Sequence, residues 1–225
     1  MEKILVSACL LGDKCTYKAT DNEQSYMAEL NRYFDLVPFC PEVEGGLGVP
    51  RKPAERRGSS VYDESGRDVT AQYTEGAMKA AQICSFLCIR FAILKENSPA
   101  CGVHRIHNGY FKNTLIEGEG VTAALLRHNG VTIMNEEEGL AFLEEHKRQM
   151  QIKAERGRIA EARRNAESEQ PKPERSEKPK GKPYQHGPAV RGYQGKPTGK
   201  PHNSKGGRKP FGKKKPFDKK KPTRE

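Results

Sequence analysis

No stretch of this 225-residue chain approaches the roughly 18 consecutive apolar residues that a membrane-spanning helix needs, so no membrane role is expected. A secretory signal is missing too: MEKILVSACLL carries one basic residue and a short apolar run, and reads as a first strand. The expected compartment is therefore the cytoplasm, where thiols stay reduced and disulfides are rare. No CxxC pair occurs among the six cysteines, so local spacing offers no ready metal or redox signature. Beyond Met150 apolar residues nearly vanish, and such a segment cannot offset its chain entropy by burial.

Charge is as uneven as hydrophobicity. Residues 1–150 carry 17 Lys and Arg against 21 Asp and Glu, whereas residues 151–225 carry 23 against 8, for a whole-chain balance of +11. All six cysteines lie in the first part, and ten of the fifteen prolines in the second. The expected organisation is a globular domain over residues 1–150, a charged helical extension over 151–169, and a disordered Lys/Pro/Gly-rich tail over 170–225.

Within the globular part, apolar runs at Lys3–Ala8, Leu36–Phe39, Ile89–Leu94 and Val131–Met134 predict buried strands. Helical spacing is expected over Ser25–Phe34, Thr70–Cys88 (capped by Thr70), Gly120–Asn129, and from Glu136 past Met150, with Asn135 as its cap. Residues 45–53 read as a loop, and Val61–Val69 as a hairpin turning at Ser65-Gly66. Strands alternating with helices predict an α/β fold: a Rossmann-like parallel sheet with helices on both faces.

In such a sheet the loops at the carboxyl ends of the strands line the ligand crevice. Cys9 follows the first strand, Cys40 the second, and Cys101 the third after a Ser-Pro turn. Three converging thiols admit three readings: small buried residues, a closed structural zinc site that includes Cys15, or an iron–sulfur cluster held by thiolates. Cys84 and Cys88, four apart on an alanine-rich helix, are expected to pack in the core.

Four motifs in fixed order, SACLLGxxC, CPEVEGGLGVPRxPAE, LKENSPACG and GVTAALLxxxGV, resemble the thiouracil desulfurase family over residues 3–145. The resemblance implies a Rossmann-like fold and a [4Fe-4S] cluster held by Cys9, Cys40 and Cys101, with a fourth iron free of protein ligands. It implies that a thiolated nucleobase or nucleoside gives up its sulfur there, hydrolysis releasing the oxygenated base and sulfide. Carried over by motif, Cys15 becomes a packing or supporting thiol. Glu42 is the candidate acid/base, or else a structural carboxylate satisfying loop amides. Ser98 either bonds the base or caps its turn. Asn22 is a candidate substrate contact, although most such asparagines only make turns. Arg51 either meets a polar edge of the base or braces the 50–55 loop. The chain departs from the family pattern at Thr16-Tyr17-Lys18-Ala19, where many relatives have a basic residue, Tyr, Asp or Asn, and Gly. That turn must close without its glycine.

The tail repeats Lys-Pro units with isolated Tyr184, Tyr193, Phe211 and Phe217, a composition suited to RNA phosphates and unpaired bases, or simply to solvation. The expected function is thus iron–sulfur-dependent desulfuration of a thiolated pyrimidine, with the tail as RNA tether. The alternatives are a non-enzymatic RNA-binding protein with structural zinc, and a sulfide carrier.

Overall fold

The computed structural model describes residues 1–168; the basic segment 170–225 lies outside the described residues. In chain order the elements are β1 (Lys3–Ser7), α1 (Met27–Leu30), β2 (Asp35–Phe39), α2 (Pro41–Glu44), β3 (Ala54–Arg57) and β4 (Ser60–Asp63). These are followed by α3 (Thr70–Phe86), β5 (Phe91–Ile93), β6 (Arg105–His107), β7 (Leu115–Glu117), α4 (Val121–His128), β8 (Thr132–Met134) and α5 (Glu136–Ser168).

Four strands pair in parallel in the order β2-β1-β5-β8. Leu5 faces Val37 on one side and Ala92 on the other, and Ala92 faces Ile133. The strands read as continuous apolar runs because both faces are covered. Leu5, Ala92 and Ile133 point to the face packed by Tyr73, Ala80, Ala123 and Leu126 of α3 and α4. Ile4, Val6, Ile93 and Met134 point to the other face, against Met27 and Leu30 of α1 and Leu143 of α5. The α/β sheet with helices on both faces is therefore as expected. Among the described residues, no helix is long and apolar enough to cross a membrane.

Order and connectivity position the site. From β1 the chain crosses to β2 on one side, and β5 pairs with β1 on the other. The crevice beyond the carboxyl ends of β1 and β5 is thus the topological switch point where open α/β sheets bind ligands.

Several local expectations are corrected. The turn at Ser65-Gly66 forms, organised by Asp63 Oδ1, which accepts from Ser65 N, Ser65 Oγ and Arg67 N. The main partner of β4, however, is β3, which begins within the 50–55 stretch that read as loop. The polar AERR of β3 carries little hydrophobic signal. Thr70 does not cap α3: its Oγ1 accepts from Val61 N at 2.9 Å, and Asp68 Oδ1 accepts from Thr70 N. Helix α3 ends at Phe86, after which Cys88 sits in the left-handed region (φ 55) and is exposed. Cys88 is therefore not a core residue, while Cys84 is buried and its thiol is pushed up to about 11 by that burial.

A thiol-lined cavity at the switch point

Cys9 lies in the single turn Ala8–Leu11 that breaks from β1. Its carbonyl accepts the backbone N–H of Asn22 at 2.8 Å, folding residues 12–22 back over the strand end. The Asn22 side chain also acts to lower the Cys9 thiol, and Asn22 lines the cavity at the strand ends. Within this loop Thr16 and Thr20 bond each other through backbone and hydroxyls, and Ala19 takes φ 58. An alanine in the left-handed region thus does the work of the missing glycine, at a steric cost.

Cys40 immediately precedes α2, whose first residue is Pro41, a position where the missing N–H costs nothing. This turn is pressed against α3 so closely that a Cβ on Gly76 would come 1.8 Å from Pro41 O, and one on Gly45 would come 2.0 Å from Gln72 O. Cys101 ends a turn fixed by Ser98, whose Oγ accepts the N–H of both Ala100 and Cys101 at 3.1 Å. The first amides of α4 bind the same turn: Val121 N donates to Pro99 O and Thr122 N to Ala100 O.

These three strand ends open on one cavity of about 650 Å³. Cys9, Cys40 and Cys101 all line it, and so do Cys15, Asn22, Glu42, Arg51 and Ser98. Every candidate site residue reaches the same space.

The thiols are not equivalent. The Cys15 side chain lowers Cys9 and Cys40 and is itself raised by them, and Cys40 Sγ donates to the Cys15 carbonyl at 3.8 Å. For Cys40 the bond from Cys15 comes first, the backbone N–H of Val43 adds to it, and burial opposes; the thiol settles at about 7. Burial pushes Cys101 well up, against a hydrogen bond with Ser7. Two thiols inclined to ionise and one deeply buried thiol form an all-sulfur donor set.

Arg51 is the brace between two loops. Its Nε and Nη2 both lie 2.8 Å from Glu42 Oε2, its Nη2 donates to Cys15 O at 2.9 Å, and its Nη1 to Gly48 O at 3.2 Å. Its own backbone N–H donates to Tyr17 O. With these donors engaged, Arg51 fixes Glu42 and the Cys15 loop together. The other Glu42 oxygen lies 3.5 Å from Ser98 Oγ, and burial together with the Glu42 charge pushes the buried Tyr73 hydroxyl well up. Ser98 therefore caps its turn and reaches Glu42 as well.

Sequence reasoning passed over several lining residues: Ser7, Tyr73, and His107, Phe111 and Asn113 of the β6–β7 hairpin and its loop. Ser7 stood inside a quoted motif without a role. Tyr73 carried only a helix-periodic signal. The hairpin had a legible one, the Asn108-Gly109 pair between Arg105–His107 and Leu115–Glu117.

A single zinc ion gathers its sulfurs about 2.3 Å from one centre. Among the described residues, no group of three or more His, Cys, Asp or Glu side chains is arranged to hold such an ion. A cluster several ångströms across accepts thiolates arranged around a cavity, and the three cysteines lining this one are donors of the kind an iron–sulfur cluster takes.

Fold and site together define an open α/β protein with three cysteines gathered on one cavity at its switch point. Residues 4–138 match the profile of the family described as 2-thiouracil desulfurase, and the chain belongs to that family. It is 40% identical over 145 residues to an uncharacterized Bacillus subtilis (strain 168) protein, YbbK, covering 60% of this chain and 96% of that one. It is also 45% identical to a solved structure described as the [4Fe-4S]-dependent thiouracil desulfidase TudS. That likeness has a TM-score of 0.60 and covers 63% of this chain and 98% of the other.

Proposed function

We propose that this protein is an iron–sulfur-dependent desulfurase that removes sulfur from a thiolated pyrimidine by hydrolysis, yielding the oxygenated base and sulfide with no net electron transfer. The observation that carries the reading is the meeting of Cys9, Cys40 and Cys101, from three strand ends, on one cavity that Glu42 also lines. Those three would hold a [4Fe-4S] cluster. When bound, it supplies an iron without a protein ligand, a soft Lewis acid suited to a thiocarbonyl sulfur.

The chain supplies the proton handling. Glu42, held by Arg51, accepts a proton from the water that attacks the thiocarbonyl carbon and returns it to the departing sulfur. The carboxylate is only 14% exposed, so its position is set by protein partners rather than by solvent. Arg51 and Ser98 fix its orientation, and Asn22, whose N–H donates to Cys9 O, favours the Cys9 thiolate. The protein works in the reducing cytoplasm as a catalytic domain (1–150) with a helical extension (151–169). Residues 170–225 carry RNA or RNA-borne substrate to it through phosphate contacts.

Anaerobically prepared protein given 2-thiouracil should release uracil and sulfide in equal amounts, and Cys9→Ala should abolish both turnover and brown colour. Sulfide binding without uracil formation would make the protein a carrier instead. Turnover surviving in Cys9→Ala would end the cluster reading.

A further inference from the structure

The loop joining β6 to β7 is the most strained described segment at the cavity. Phe111 (φ 55) and Asn113 (φ 51) both occupy the left-handed region, and both line the cavity. Asparagine tolerates that conformation; a bulky aromatic residue there is an outlier, and persists only where its surroundings force it. The forcing groups come from β3. Glu55, 8% exposed, accepts the Phe111 N–H at 2.9 Å through Oε2. Arg57 donates to Gly109 O through Nε and Nη2, and its guanidinium lies 4.5 Å from the centre of the Tyr110 ring. Gly109 rests so close to Arg57 that a Cβ there would stand 2.9 Å from the Arg57 Cβ. One hairpin thus grips the loop of the other at Phe111 and in the two residues before it.

The product of this grip is a 38% exposed aromatic ring at the cavity. An exposed phenyl group held in a strained backbone does little for the core; its use is a face offered to the cavity. We infer that Phe111 is the stacking platform for the pyrimidine ring of the substrate, and that Glu55 is the positioning residue that holds it there. The inference rests on the desulfurase reading for the identity of the ring, and adds the group that binds it. Aromatic stacking accepts any base by its π-face, so Phe111 contributes affinity, and the choice of thiolated position falls to other groups.

The test uses cluster-loaded, full-length enzyme under anaerobic conditions, with uracil binding measured by calorimetry and 2-thiouracil turnover measured separately. In Phe111→Ala and Phe111→Leu, uracil affinity should fall about tenfold and KM for 2-thiouracil should rise equally, with kcat within about threefold. Phe111→Tyr should restore both. Glu55→Ala should weaken uracil binding in the same direction, and Glu55→Gln, which keeps an acceptor for the Phe111 N–H, should recover it. Leucine binding uracil as well as phenylalanine does would reduce Phe111 to an apolar wall and overturn the inference, as would wild-type enzyme that binds no uracil. Wild-type enzyme that binds uracil but frees no sulfide from 2-thiouracil would instead refute the desulfurase reading, leaving the platform standing.

Discussion

At the scale of single residues, Arg51 decides how well the site is built. It joins the carboxylate after Cys40 to the loop that carries Cys15, and the Arg51 and Glu42 side chains are only 10% and 14% exposed. Removing one partner of such a pair leaves the other charge stranded, so Arg51→Ala should cost about 3 kcal/mol in denaturant unfolding and lower turnover more than tenfold. Arg51→Lys keeps the charge but cannot form the fork, and should recover only part of each. Ala19 makes the opposite case. It holds φ 58 where glycine would be unstrained, so Ala19→Gly should gain roughly 1 kcal/mol, raising the melting temperature by about 3 °C. An unchanged or lower melting temperature would mean that the strain is not there, or that the added freedom of the unfolded chain cancels its relief.

At the scale of elements, the site depends on how closely α2 lies on α3. Gly76 makes that approach possible, since a methyl group would meet the Pro41 carbonyl at 1.8 Å. Gly76→Ala should therefore push the Cys40-Pro41-Glu42 turn outward. We expect a melting temperature lowered by several degrees and poorer iron incorporation, not simply a slower enzyme. The sheet strands were legible because burial on both faces makes them plain apolar runs. The cysteines were legible because they stand at the ends of those runs. The turn at Ser65-Gly66 was legible, but the β3–β4 and β6–β7 pairings escaped for the opposite reason. β3 reads AERR, and its pairing with β4 is held by polar and backbone bonds that leave no hydrophobic period. The reading of Arg51 as brace or base contact was likewise undecidable in sequence, because its acceptors are the Cys15 and Gly48 carbonyls as well as Glu42, and backbone acceptors leave no trace in residue types.

At the scale of the molecule, the cavity and the long helix point in opposite directions. Helix α5 starts beside the site, where Glu136 pairs with Lys95 and accepts from Glu96 N. It then runs back along the sheet, Phe142 stacking on Phe34 and Phe91 at the other end. Residues 151–168 are exposed throughout, and at 1.5 Å per residue they extend about 27 Å past the packed domain. No described residue around the cavity depends on that stretch. A chain lacking 170–225 should therefore turn over free 2-thiouracil at the wild-type rate while losing retention on immobilised RNA at low salt. Loss of both would place part of the catalytic domain beyond residue 169.

The central claim is that Cys9, Cys40 and Cys101 surround one inorganic centre and are sufficient to hold it. Iron, zinc and acid-labile sulfide analysis of anaerobically prepared wild-type and Cys15→Ala protein tests this most directly. About four iron and four sulfide per chain are predicted in both. Stoichiometric zinc without sulfide, or a centre lost from Cys15→Ala, would contradict it.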